Sequence, residues 1–346
     1  MAVDALSGPM APDARAHATV VCALGMHRSG TSLVARMLNL LGVHLGPEPR
    51  VLTSGKDNPT GYWEYRPFVD INDAILERFG GQWDQPPAFP SSWPGDERLV
   101  DLREKARELL TTDFAAAPLW GWKDPRTCLT LPFWQDVIGP MRYVICLRNP
   151  CAVVASLAHR ESTMSRSMMS GEKAEQLWLA HVQVTLAHTS GQPRMFVFYE
   201  DIMDDWLQEL RRMASFIGNP ARADDSRVQD DVGAFLQQEL CHHRMSTKDL
   251  LADPRLSLPT KALWLALSAE THAFTLRDRQ TLEEIHASSA WKLVTFVRGL
   301  IVDLLPAGTR RRRAFNTVLW SLARRLPSPH GQNLIVHLHA RLTRQL

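Results

Sequence analysis

Apolar and polar positions divide the chain into short apolar runs, each followed by a turn and a helical pattern. The run TVVCAL at 19–24 is rich in β-branched residues and leads into a glycine-containing turn. Such a run before a helix period predicts a buried parallel strand. In the helix after it, Leu33, Met37, Leu40 and Leu41 fall on one face. MRYVICLR at 141–148 predicts a second strand, and Asn149-Pro150 opens the next helix with proline in its first turn. RMFVFYE at 194–200 predicts a third, followed by a helix over about 203–217 that stops at Gly218-Asn219-Pro220. Strands alternating with helices predict an α/β fold with an open, mostly parallel sheet. Ligands of such sheets sit beyond the carboxyl ends of the strands, where Gly25, Arg148 and Glu200 lie.

Segment 80–96, GGQWDQPPAFPSSWPGD, breaks this alternation and reads as a long surface loop, a length often tied to function. Beyond Asn219 the chain is helical with a weaker pattern, and it contains no internal repeat.

Composition narrows the class. Hydrophobic content of 45% and charged content of 22% are those of a soluble globular protein. No stretch approaches the roughly 20 apolar residues of a membrane span. Residues 1–18 have neither a basic start nor a long apolar core, and read as a disordered lead-in. Cysteines at 22, 128, 146, 151 and 241 form no CxxC pair, which argues against zinc and a disulfide framework. Reduced thiols and a cytoplasmic location are expected.

The net charge of +2 is unevenly spread. Residues 285–346 hold ten Lys or Arg against one acid, Asp303, leaving 29 basic and 36 acidic residues elsewhere. A basic helical extension therefore follows a mildly acidic body. Within it, 290–313 joins an apolar helix to four consecutive arginines. Peripheral contact with the inner face of a membrane is open to it, as is packing on the preceding domain or in a dimer. No nucleic-acid motif is present.

The chemistry is concentrated at 25–32, GMHRSGTS. Gly25 and Gly30 frame four residues between a strand and a helix, which makes an anion site from backbone N–H groups and the positive helix end. Where a P-loop nucleotidase carries its Lys-Ser or Lys-Thr, this chain has Thr31 and Ser32. Positive charge must come from Arg28 inside the loop and from Lys123 and Arg126 of GWKDPR.

GMHRSGTS resembles the 5′-phosphosulfate loop of the sulfotransferases that use 3′-phosphoadenosine 5′-phosphosulfate (PAPS). YVICLRNPCAVVAS resembles their 3′-phosphate motif, with Arg148 ending a strand and Ser156 eight residues on. VFYEDIMDDWLQELRRMASFIG resembles a strand and helix of the same family, and GYWEYRPFVDINDAIL, GWKDPRTCLTLPFW and ELCHHR look like its bacterial branch. The resemblance implies a P-loop-like three-layer α/β domain over about 19–275, followed by the helical extension. It implies PAPS as co-substrate, no metal, and transfer of a sulfuryl group to a hydroxyl by in-line displacement. It also implies donor contacts from Gly25, His27, Arg28, Ser29, Gly30, Thr31, Ser32, Arg148 and Ser156.

Many members place a catalytic lysine in the loop. Here Arg28 stands nearby instead, as in the tyrosylprotein sulfotransferases, whose "KDP" lysine is matched by Lys123. Arg28 and Lys123 are expected to share charge stabilisation. Glu64 of GYWE is the expected base, desolvated by Tyr62 and Trp63, with Glu48 and His27 as alternatives. Trp63, Trp83 and Trp93 offer faces for a saccharide, so a glycan or glycolipid hydroxyl is the expected acceptor; stapling of the loop to the core is the competing use of these rings. Residues 159–173 read as a lid, and Arg244 of 241–244 as a further nucleotide contact. A kinase with a displaced lysine and a non-catalytic nucleotide-binding scaffold are the rival readings.

Overall fold

The computed structural model describes residues 18–53, 61–164, 169–238 and 245–270. The lead-in, Cys241, Arg244 with its 241–244 motif, and the basic extension 285–346 lie outside them, as does 165–168 of the expected lid. The account below concerns the compact unit that runs to Thr260 and resumes at Trp264.

Four parallel strands form one sheet: β1 (Thr19–Leu24), β2 (Leu119–Lys123), β3 (Arg142–Leu147) and β4 (Arg194–Phe198), in the order β2-β1-β3-β4. The sequence pattern announces β1, β3 and β4. It does not announce β2, because LWGWK lacks a β-branched run. Gly121 is required there: a Cβ would strike the carbonyl oxygen of Val21 on β1. The third strand ends at Phe198, two residues short of the expected limit. Tyr199 already opens helix α7 (Tyr199–Ile217), and Glu200 and Asp201 in its first turn favour that start.

Helices cover both faces. Side chains alternate along β1, so Val21 and Ala23 pack with α1 (Thr31–Leu40), α7 and α8 (Ser226–Gln238) in one core. Within α1, Leu33, Met37 and Leu41 beside its end are buried in that core, and Leu40 is partly buried against it. The other side carries α4 (Thr127–Ile138), α5 (Pro150–Met164) and α6 (Gly171–His188), with α4 and α5 both packed on α6. Beyond the β2 edge, α2 (Arg66–Arg78) and α3 (Val100–Asp113) enclose an aromatic cluster of Tyr65, Phe68, Phe114, Trp120, Trp122 and Trp134. Most of these rings meet edge-on or tilted, and Trp120 and Trp122 stack with centroids 6.1 Å apart, arrangements that aromatic quadrupoles prefer. Helices α9 (Thr247–Ala252) and α10 (Leu258–Glu270) end the described chain.

The loop 80–96 is more ordered than a plain surface loop. It contains a tight Gln82–Gln85 turn and a 3₁₀ turn at Trp93–Gly95. Cys22, Cys128, Cys146 and Cys151 are buried free thiols.

Candidate active site

The carboxyl ends of β1, β2 and β3 converge on the turn before α1. Gly25 has φ +154°, and a Cβ there would lie 2.7 Å from the Cys146 carbonyl oxygen. Gly30 caps α1 with φ 82°, and a Cβ there would lie 2.5 Å from the Tyr199 ring. No side chain caps α1, and its first turn holds no acid, so its leading N–H groups face an electropositive space. Arg28 adopts left-handed φ 69°, a conformation rare outside glycine. Ser29 and Thr31 are buried within this turn.

Three cations border it. Lys123, 1% exposed at the end of β2, donates to Glu64 Oε1 at 2.8 Å and to Ser32 Oγ at 3.4 Å. Arg28 Nε donates to Ser156 Oγ at 2.9 Å. Arg148 Nη1 donates to the Arg28 carbonyl at 3.1 Å, and its guanidinium lies 4.3 Å over the Tyr199 ring. Arg148 and Ser156 thus flank Arg28 rather than bond one another. The buried Arg148 Nε has no hydrogen-bond partner among the described residues.

Glu64 is 8% exposed. Burial pushes its carboxyl above the usual range and Asp124 adds to the rise, while Lys123 and Arg126 oppose it. Trp63 precedes it with φ 56°, and its indole lies 4.5 Å from the Arg36 guanidinium and near Phe235. The left-handed step thus sends indole and carboxylate to different surroundings. The His27 imidazole packs against Trp83, with ring centroids 4.3 Å apart. Glu48 is exposed on a separate 3₁₀ turn, Glu48–Arg50, and Lys123 pairs with Glu64 instead.

A profile of the Sulfotransferase domain family matches residues 19–253, from the first residue of β1 to the residue after α9. The chain belongs to that family. Sulfuryl transfer is therefore the reaction class of this enzyme. Among solved structures it is similar to the sulfotransferase STF9 of Mycobacterium avium, at 16% identity and TM-score 0.43 over 75% of this chain and 77% of that one. It is also similar to a sulfotransferase of Alicyclobacillus acidocaldarius, at 17% identity and TM-score 0.37 over 63% and 91%. A third similarity is to mouse SULT7A1 complexed with PAP, at 13% identity and TM-score 0.35 over 79% and 86%. No curated protein matches.

In this sulfotransferase Trp83 and Trp93 of the loop and Trp63 before α2 have different surroundings. Trp83 lies against the Gly25–Ser32 turn through His27, and Asp84 beside it pairs with Lys173 on α6 at 2.8 Å. Trp93 is buried, stacked on Phe89 at 4.3 Å and near Phe79. It staples the loop, as Trp63 packs against α1 and α8. Among the described residues no cluster of His, Cys, Asp or Glu is arranged to hold a metal, and no helix is long and apolar enough to cross a membrane. Sequence reasoning missed Asn72, a fully buried amide bonded to Asp124 beside Lys123. Its signal was a polar residue in the apolar phase of α2, between Phe68, Ile71 and Ile75.

Proposed function

We propose that this sulfotransferase moves the sulfuryl group of PAPS to a hydroxyl of a glycan or glycolipid. The observation that carries the reading is Lys123. A buried ammonium sits between a carboxylate and the first-turn hydroxyl Ser32 of α1, at an uncapped helix start. Three features suit a doubly phosphorylated donor: the Cβ-free approach at Gly25 and Gly30, the start of α1 without a side-chain cap or first-turn acid, and the unpartnered Arg148 Nε.

When bound, PAPS supplies an activated sulfuryl group on a phosphate leaving group. Residues 25–32 hold the 5′-phosphate through backbone N–H groups and the Thr31 and Ser32 hydroxyls. Arg148 and Ser156 receive the 3′-phosphate, with Ser156 exchanging its bond to Arg28. Arg28 and Lys123 stabilise charge developing on the equatorial and bridging oxygens. Glu64 takes the proton of the acceptor hydroxyl at Oε1 or Oε2; its burial raises its basicity against the opposing charge of Lys123, whose hydrogen bond fixes its direction. Excluding water from this buried pair strengthens both interactions.

The acceptor reading rests on Trp83, whose indole borders the turn and whose loop is tied to α6. The domain is taken as 19–275. The extension 285–346 would bring it to a lipid-linked acceptor at a cytoplasmic membrane face; liposome flotation with and without those residues tests that part. Calorimetric binding of 3′-phosphoadenosine 5′-phosphate against ADP and ATP with magnesium tests the core of the reading. Preference for the 3′-phosphorylated nucleotide, lost in Arg148→Ala, is expected. Preference for ATP with magnesium would replace it by a kinase reading.

A further inference from the structure

We propose that Asn72 and Asp124 are positioning residues that hold Lys123 at the Gly25–Ser32 turn; the inference rests on the role given to Lys123 above. Asn72, 0% exposed on α2, uses all four of its hydrogen-bonding positions. Its Nδ2 donates to Asp124 Oδ2 at 2.8 Å and to Thr127 Oγ1 at 3.1 Å. Its Oδ1 accepts from Thr130 Oγ1 at 2.6 Å and from Trp134 Nε1 at 2.8 Å. One amide thereby joins α2 to the turn after β2 and to the first two turns of α4.

Asp124 is the next residue after Lys123 and is equally buried. Its Oδ1 accepts from the Arg126 backbone N–H at 3.0 Å and from Arg126 Nη1 at 2.9 Å. Arg126 is held in turn by Asp73 at 2.6 Å, one position from Asn72 on α2. The chain Asn72–Asp124–Arg126–Asp73 runs through buried or half-buried polar groups around the β2–α4 turn, and its two ends are neighbours on α2. A buried carboxylate is costly unless every oxygen is bonded, and here both are. A plain helix-packing role would be filled by leucine in α2. An amide that selects one orientation of the Asp124 carboxylate fits a site where the preceding side chain must point one way.

The test uses the full chain, with 3′-phosphoadenosine 5′-phosphate binding as the measure of folding and steady-state sulfation as the readout. In Asp124→Asn the new amide nitrogen would face the Asn72 amide nitrogen, donor against donor. We expect kcat to fall about 10- to 100-fold, as misplacement of a reacting group does, with donor KM and nucleotide binding nearly unchanged. The exchange Asn72→Asp with Asp124→Asn restores the donor–acceptor match, since the Thr127 hydroxyl can rotate to donate. It is expected to recover kcat to within about tenfold of the parent. If Asp124→Asn does not fold, the exchange variant still decides.

Three outcomes overturn the proposal: a kcat within about threefold of the parent in folded Asp124→Asn, a loss of kcat that merely follows loss of nucleotide binding, or a folded exchange variant without turnover. Lys123→Ala is the separate control. Full turnover there would sink the role of Lys123 itself, whereas loss of turnover there together with normal Asp124→Asn would sink only the positioning role.

Discussion

Lys123 and Glu64 meet at 2.8 Å in a site where neither side chain is more than a tenth exposed. An ion pair so enclosed contributes little net stability, because desolvation offsets the attraction, yet removing one partner strands a buried charge. That asymmetry separates a structural pair from a functional one.

Lys123→Met is expected to destabilise the protein by about 3–5 kcal/mol and to abolish turnover. The double variant Lys123→Met with Glu64→Leu is expected to regain most of that stability while turnover stays absent. Chemical denaturation and sulfation assays on the same samples check both halves. Glu64→Gln alone should keep binding of 3′-phosphoadenosine 5′-phosphate and lose turnover; near-normal turnover would remove Glu64 as the base.

Gly30 faces Tyr199, whose ring lies under the Arg148 guanidinium. Gly30→Ala places a methyl 2.5 Å from that ring at φ 82°. The left-handed conformation alone costs about 1–2 kcal/mol with a Cβ. The displaced ring would shift Arg148 as well. A lower Tm together with weaker binding of 3′-phosphoadenosine 5′-phosphate is expected by thermal melting and calorimetry, and unchanged binding would uncouple Tyr199 from the nucleotide site.

Asp201, in the first turn of α7, has its carboxyl pushed up to about 7 by burial, with Glu209 and Glu200 adding to the rise. The unfolded chain releases that proton near pH 4. Between about pH 4 and 7 the folded state binds more protons than the unfolded one, so this group's stabilising contribution is lost as pH rises through that window. Asp201→Asn should therefore be more stable than the parent at about pH 7.5 and similar to it at about pH 4. Urea denaturation at both values reads the difference, and an equal effect at both would contradict it.

Trp83 and Trp93 should respond differently to alanine. Trp83→Ala is expected to raise KM for a saccharide acceptor up to about tenfold, the worth of one aromatic contact, without changing donor affinity. Trp93→Ala should instead cost about 3–5 kcal/mol of stability, since the ring is buried against Phe89. Kinetics with varied acceptor and melting of both variants distinguish these roles.

The sequence alone determined the elements whose signals are local. Three of the four strands, the glycine-framed turn at 25–32 and the helix after it are each written in contiguous residues, as a period, a turn residue or a spacing. Lys123 was reached as a cation of GWKDPR that the turn itself lacks, and through the resemblance, but its strand LWGWK was not legible because it has no β-branched run. What the tertiary structure decided is which distant groups meet. Glu64 and Lys123 are 59 positions apart, Asn72 and Asp124 are 52 apart, and Arg28 and Ser156 are 128 apart. The sheet order places β2 beside β1, and Gly121 lets the two backbones close, so Lys123 stands level with Ala23 at the foot of the turn. Hydrophobic periodicity states that a strand is buried, not which strand lies next to it, and hydrogen-bond partners across elements follow only from that choice.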